Sequence, residues 1–145
     1  MQMINRLLSP ATWILVVLVG GTAFVLYRGI LADPRRSVVD VVVPSLSAAA
    51  LTGQMAFDAN CAACHGRHGA GTDKGPPLIH DFYNPGHHSD AAFHRATREG
   101  TKQHHWRFGD MPPQPQVTPQ EVDQIVRYIR ELQTANGINY RSHRM

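Results

Sequence analysis

The 145-residue chain holds only two cysteines, and both sit in one short stretch, at Cys61 and Cys64. That scarcity excludes a disulfide-stapled scaffold and leaves no second cysteine pair for a four-ligand zinc site. Charge is also sparse, and none falls between Ala11 and Tyr27. The formal net charge of +3 is placed unevenly. Before residue 44, Arg6, Arg28, Arg35 and Arg36 stand against Asp33 and Asp40; from there on, ten basic residues nearly balance nine acidic ones. The downstream part therefore lacks the basic footprint of a nucleic-acid binder. Alternating strand patterns are too few for a βαβ unit. No nucleophile, base or paired-acid constellation appears either. The length suits one domain plus an appendage.

The uncharged run ATWILVVLVGGTAFVLY, residues 11–27, is short for a bilayer span, which needs about 20 residues. Ile30 and Leu31, with Arg28 snorkelling, bring it to an adequate length. Ser9 is placed to cap such a helix with Pro10 at its first position, and Trp13 and Tyr27 sit where interfacial aromatics gather. A cleaved signal peptide is the rival. Its hydrophobic core is usually about 7–15 residues and precedes an A-x-A-like site, whereas Tyr27-Arg28-Gly29-Ile30-Leu31-Ala32 has no such pattern. The expected layout is a tip over 1–10, an anchor over 11–31, a linker over 32–51, a globular domain over 52–137 and a tail over 138–145. The linker's Val38-Val39 and Val41-Val42-Val43 are β-prone, which suits an extended tether or a segment leaning on a partner protein.

Cys61-Ala62-Ala63-Cys64-His65 reads as C-x-x-C-H, the attachment signature of c-type haem. Two intervening residues put both sulfurs on one face of a helical turn, and the next residue offers an imidazole to iron. A redox dithiol and half a zinc site use the same C-x-x-C spacing, so the motif is judged by its surroundings. Upstream, Thr52 or Ser47 can cap a helix running through Gly53 and Phe57 into the cysteines. Downstream, Thr118-Pro119-Gln120-Glu121 is a capping box with proline at the first helical position. Val122, Ile125, Val126, Ile129 and Leu132 then form an apolar stripe with Tyr128 beside it, closed by Asn136-Gly137. Between these, Ser89 is placed to cap a helix over Asp90–Glu99 that Gly100 ends, with Phe93 and Ala96 facing inward.

With these features the chain resembles the class I c-type cytochromes over about residues 52–137. Those proteins pack a helix bearing a glycine and an aromatic against one bearing an aliphatic and a tyrosine; Gly53, Phe57, Ile125 and Tyr128 match. Gly75-Pro76-Pro77-Leu78 resembles the family's Gly-Pro-x-Leu loop, which implies that the Pro76 carbonyl accepts the His65 Nδ1–H. Gly109-Asp110-Met111-Pro112-Pro113 resembles its distal methionine loop. The resemblance implies an all-α class I cytochrome c fold behind one transmembrane helix, one covalent haem c on Cys61 and Cys64, and iron held by His65 and Met111. Trp106 and Phe108 are expected to wall the haem, the indole N–H reaching a propionate. For His87-His88 and His104-His105, solvated or propionate-neighbouring side chains are expected over a second metal site, because adjacent residues diverge and seldom chelate one ion alone. His104 or His105 is the alternative to Met111 as axial ligand.

The expected role is single-electron transfer, not catalysis, since a filled sixth position leaves no substrate site. Expected partners are the membrane and redox proteins such as a quinol-oxidising complex, a terminal oxidase or a photosynthetic reaction centre, with no nucleic acid and no small-molecule substrate. The alternatives are a haem enzyme or gas/redox sensor with a displaceable methionine, and a structural or assembly subunit. Orientation carries a conflict. The arginines following the span weakly favour a cytoplasmic C-terminal side, but covalent haem attachment happens outside the bacterial cytoplasmic membrane. Chemistry bound to one compartment outweighs a bias of two or three arginines, so the domain is expected in the periplasm.

Overall fold

The computed structural model describes residues 9–31 and 38–142. Expectations for residues 1–8, the side chains of 28–31, residues 32–37 and the last three positions lie outside the described residues. The chain divides into two compact units, Met1–Asp33 and Pro34–Met145.

In the first unit, α1 runs from Pro10 to Leu31. Ser9 Oγ accepts from the Thr12 amide at 3.2 Å, satisfying one free donor of the first turn. Over Pro10–Tyr27 the mean hydropathy is 1.8 and nothing is buried. Trp13, Leu18, Phe24 and Tyr27 all project outward. This helix is long and apolar enough to cross a membrane, and a signal sequence passes the same test.

The second unit is built on α2 (Ala48–Asn60) and α5 (Pro119–Ala135). Between them lie α3 (Ala62–His65), single 3₁₀ turns at Arg67–Gly69 and Asp81–Tyr83, and α4 (Asp90–Glu99). No strand occurs among the described residues; one isolated antiparallel bridge joins Thr101 to Met111. The helices α2 and α5 cross where Gly53 meets the backbone of α5. A Cβ added at Gly53 would lie 1.9 Å from the Gln124 carbonyl oxygen, so only glycine permits this approach. One turn on, the rings of Phe57 and Tyr128 pack with centroids 5.6 Å apart. Both are fully buried, together with Ile129 and Leu132. The expected α5 stripe forms the core with Ala50, Leu78, Ile79 and Val117.

At two termini the structure refines the expectation. Ser47, not Thr52, caps α2: its Oγ accepts from the Ala50 amide at 3.2 Å and donates to Glu131 at 2.6 Å. Both residues are good caps by type; the carboxylate on α5 selects the earlier one. Residues 48–51, expected within the linker, are consequently helical. Ser89 does stand at the N-cap of α4, but its side chain makes no capping bond. Asp90 is held instead by Arg130, at 2.9 Å.

The valine-rich segment also lies on its own domain. Val39, Val41 and Leu46 pack against the core, the Val39 amide donates to the Ala70 carbonyl at 2.9 Å, and Asn136 brackets both backbone groups of Val42. The domain that follows thus covers Val39 and Val41, whereas Val38, Val42 and Val43 stay exposed.

The capping box of α5 is complete: Thr118 Oγ1 accepts from the Glu121 amide at 3.3 Å, and Glu121 accepts from the Thr118 amide at 2.8 Å. The Thr118 amide, and then its hydroxyl donating to Glu121 Oε2 at 2.8 Å, hold the Glu121 carboxyl below its usual range. A depressed folded pKa means this contribution is present above the unfolded pKa and is lost as pH falls through the folded one. Thr118→Ala should cost about 1 kcal/mol of stability, read as a lowered urea midpoint at unchanged slope.

Candidate functional site

The helix α3 is a single turn, and Gly66 ends it. The chain leaves the helix there at φ 75°, and a Cβ on Gly66 would lie 2.4 Å from the Gly71 carbonyl oxygen. This fold-back lets the Gly75-Pro76 loop pass under His65. Gly75 is similarly tight, its hypothetical Cβ 2.9 Å from the Cys64 carbonyl oxygen. In this arrangement His65 Nδ1 lies 2.9 Å from the Pro76 carbonyl oxygen. A carbonyl only accepts, so Nδ1 carries the hydrogen and Nε2 is left as the lone-pair donor. Burial pushes the His65 imidazole below its ordinary pKa, partly opposed by the Pro76 bond, so the ring is neutral and fit for coordination.

His65 opens onto a cavity of about 560 Å³, within the range of cofactor sites. Cys61, Pro76, Trp106, Phe108 and Met111 share its lining. Cys64 is exposed on the same helical turn. Burial, and then the neighbouring Cys64, push the Cys61 thiol up to about 11. A redox dithiol needs a lowered thiol pKa, and the shift at Cys61 runs the other way.

Met111 arrives on a loop held at its base by the paired amides and carbonyls of Thr101 and Met111, both bonds 2.9 Å. Inside the loop, Asp110 takes Lys102 Nζ at 2.6 Å and the Gln103 amide at 3.0 Å. Gly100 at φ 76° makes the turn into it, with no room for a Cβ beside the Met111 carbonyl oxygen. The methionine is thus positioned by backbone pairing, and Pro112 and Pro113 stiffen the exit.

Trp106 packs between aromatic rings, 5.0 Å from His80, 5.6 Å from Phe82 and 6.2 Å from Phe108 between centroids. Its Nε1 is buried and has no hydrogen-bond acceptor. The Tyr83 hydroxyl lies close enough for the indole N–H to offset slightly the burial that raises that phenol to about 12, but not in bonding geometry. A buried donor without an acceptor is costly; the indole ring itself stands on the cavity lining.

Residues that sequence reasoning missed hold the far wall. The Arg130 guanidinium donates to the carbonyls of Tyr83 and His88 at 2.8 and 2.6 Å. Gln133, fully buried, donates to the carbonyls of Leu78 and Tyr83. Together they clamp the 78–88 loop to α5. The visible signal was a polar pair three apart on the flank of an apolar helix. His68, at φ 57°, is a further omission: its Nδ1 lies 2.7 Å from the Tyr128 hydroxyl, giving that buried group a partner.

The two histidine pairs, expected to be solvated, approach each other across the cavity rim. His87 Nε2 and His105 Nε2 are 3.0 Å apart, and His88 Nε2 and His104 Nε2 are 3.5 Å apart. Burial, with the surrounding imidazoles, pushes His88 down to about 4.

The donor set fits a covalently held haem: two thiols on one turn, a neutral imidazole with its second nitrogen free, and a thioether on the cavity lining. The family model for cytochrome c matches residues 50–133. No curated protein and no solved structure matches the chain.

Proposed function

The chain belongs to the cytochrome c family, and from that membership we propose that it is a membrane-anchored carrier of single electrons with iron held by His65 and Met111. Haem-based electron transfer and a covalent haem c follow from the family itself. The observation that supports the finer reading is that His65, with Nε2 free, and Met111 line one cavity. When bound, haem c supplies a one-electron ferric/ferrous couple. His65 offers a nitrogen whose orientation is set by Pro76; Met111 offers a soft, neutral sulfur that favours the ferrous state and raises the potential. Cys61 and Cys64 supply the covalent attachment. Phe57, Phe93, Phe108 and Ile125 exclude water, and the Thr101–Met111 pairing keeps the ligand loop in place in both oxidation states. With Met111 as a ligand, no open coordination position would remain, which fits a carrier better than an enzyme or gas sensor.

The unpacked, uncharged surface of α1 over Pro10–Tyr27 supports lipid as its surroundings. With covalent haem attachment confined to the outer side of a bacterial cytoplasmic membrane, the haem domain faces the periplasm. Its partners on this reading are redox proteins of a respiratory or photosynthetic chain.

Carbonate-washed membranes tested for haem protein, and the detergent-purified chain examined optically, check both parts. The expected result is an intact chain retained in the membrane, low-spin in both oxidation states and inert to CO. A shortened, freely released chain would replace the anchor with a cleaved signal, and a high-spin ferrous form that takes up CO would replace the carrier with a sensor or enzyme.

A further inference from the structure

We propose that His87, His88, His104 and His105 form a second metal site, separate from the iron ligands, which binds one divalent transition-metal ion of the class that imidazole prefers, such as Zn2+. Hydrogen bonds fix two of the four tautomers. His88 Nδ1 lies 2.6 Å from the Phe82 carbonyl oxygen and His104 Nδ1 lies 2.8 Å from the Lys102 carbonyl oxygen. Carbonyls cannot donate, so both Nδ1 atoms carry hydrogen and both Nε2 atoms are bare lone pairs. Those lone pairs face each other at 3.5 Å. Two neutral acceptors at that separation repel unless a cation stands with them.

The second pair completes the arrangement. His87 Nε2 and His105 Nε2 stand 3.0 Å apart, and the ligand atoms of His87, His88 and His105 all lie within 4.8 Å of one another. A tetrahedral zinc ion with bonds of about 2.0–2.1 Å sets its nitrogens roughly 3.3–3.4 Å apart. The two spacings fall on either side of that value; the others among His87, His88 and His105 reach up to 4.8 Å, so these rings turn inward to close on an ion, with His104 as the outermost ligand. Carbonyl bonds to Nδ1 are also the usual outer support of metal-bound histidine, fixing ring orientation and strengthening donation.

The four residues reach this point from two segments that are independently secured. Arg130 holds the His88 carbonyl, and the Lys102–Asp110 pair with the Thr101–Met111 bridge closes the other loop. His104 is exposed, giving an ion a path from solvent. Neutral nitrogen ligands with no carboxylate among them select a zinc- or copper-like ion over Mg2+ or Ca2+. With His65 and Met111 as the iron ligands, none of the four is needed at the iron, and the site rests on that reading.

The haem-loaded full-length protein in detergent, dialysed against Zn2+ with Mg2+ as control, tests the proposal by metal analysis. One zinc per iron is expected, with no Mg2+ retained and the low-spin haem bands unchanged. In the His88→Ala/His105→Ala double variant the zinc affinity should fall by more than about 100-fold, beyond the cost of losing a supporting bond. Should that variant fail to take up haem, the exposed-site variant His104→Gln should still bind zinc about 10-fold more weakly than the parent. No zinc on the parent protein, undiminished zinc on the variants, or zinc-induced change of the low-spin bands would each overturn the proposal; the last would mean that these imidazoles serve the iron.

Discussion

A Gly53→Ala chain should lose stability even though alanine is the better helix former. Inside a helix, exchanging glycine for alanine ordinarily gains about 0.8–1.0 kcal/mol. Here the added carbon would sit 1.9 Å from the Gln124 carbonyl oxygen and 2.5 Å from its carbon. These are backbone atoms in the middle of α5, which no side-chain rotation can move aside. Overpacking costs roughly 1–3 kcal/mol where side chains can adjust, and this position stands at or above the top of that range. The net expectation is a loss of at least about 2 kcal/mol, equivalent to a fall of about 1 M in urea midpoint at a typical slope. Phe57 and Tyr128 would be pulled apart with the helices, and less haem should be retained in the expressed protein. Gly21→Ala, whose added carbon meets nothing within 4 Å, is the control and should show neither effect. A Gly53→Ala protein as stable as the parent would disprove the close crossing.

Met111→Ala should change the iron's chemistry while leaving the loop in place. The loop is held by the backbone of Met111 and by Asp110, so neither set of bonds is removed with the thioether. The expected variant is high-spin, binds CO when reduced, and has a lower midpoint potential, because the ligand that favours ferrous iron is gone. Axial ligands move haem potentials over roughly 0.8 V, so a drop on the order of 100 mV or more is expected. Met111→His should restore a low-spin spectrum without restoring the potential. An Ala variant with unchanged spectrum and potential would mean that another side chain, with His104 or His105 the nearest in the sequence, completes the iron's coordination.

The parts of this molecule that were readable from sequence are those in which local chemistry and long-range packing agree. Thr118 and Glu121 announce a helix start, and the α5 stripe announces which face is buried. Gly53 and Phe57 are legible because a close crossing needs a missing side chain beside a large one. The His65–Pro76 contact was accessible only through family resemblance, since eleven residues of loop carry no periodicity. The start of α2 was ambiguous for a different reason. Ser47 and Thr52 are equivalent by type, and the deciding group, Glu131, lies on a helix more than eighty residues away. The histidine pairs were least legible. Adjacent histidines do diverge, but two diverging pairs meet when Arg130, Gln133 and the Thr101–Met111 bridge fix the segments that carry them, and nothing in either pair's own neighbourhood encodes that meeting.

The partner of the His65 ring is a backbone carbonyl, and a carbonyl has no acid–base equilibrium in water. A carboxylate in its place would add its own protonation to the iron's oxidation, so that each electron moved would tend to carry part of a proton with it. The Pro76 oxygen cannot do that. With His65 as an iron ligand, the proximal side would be built for electrons without protons, with a driving force indifferent to the acidity of the compartment. Any slope of midpoint potential against pH would have to be sought elsewhere, and the imidazoles at the cavity rim are the first place to look.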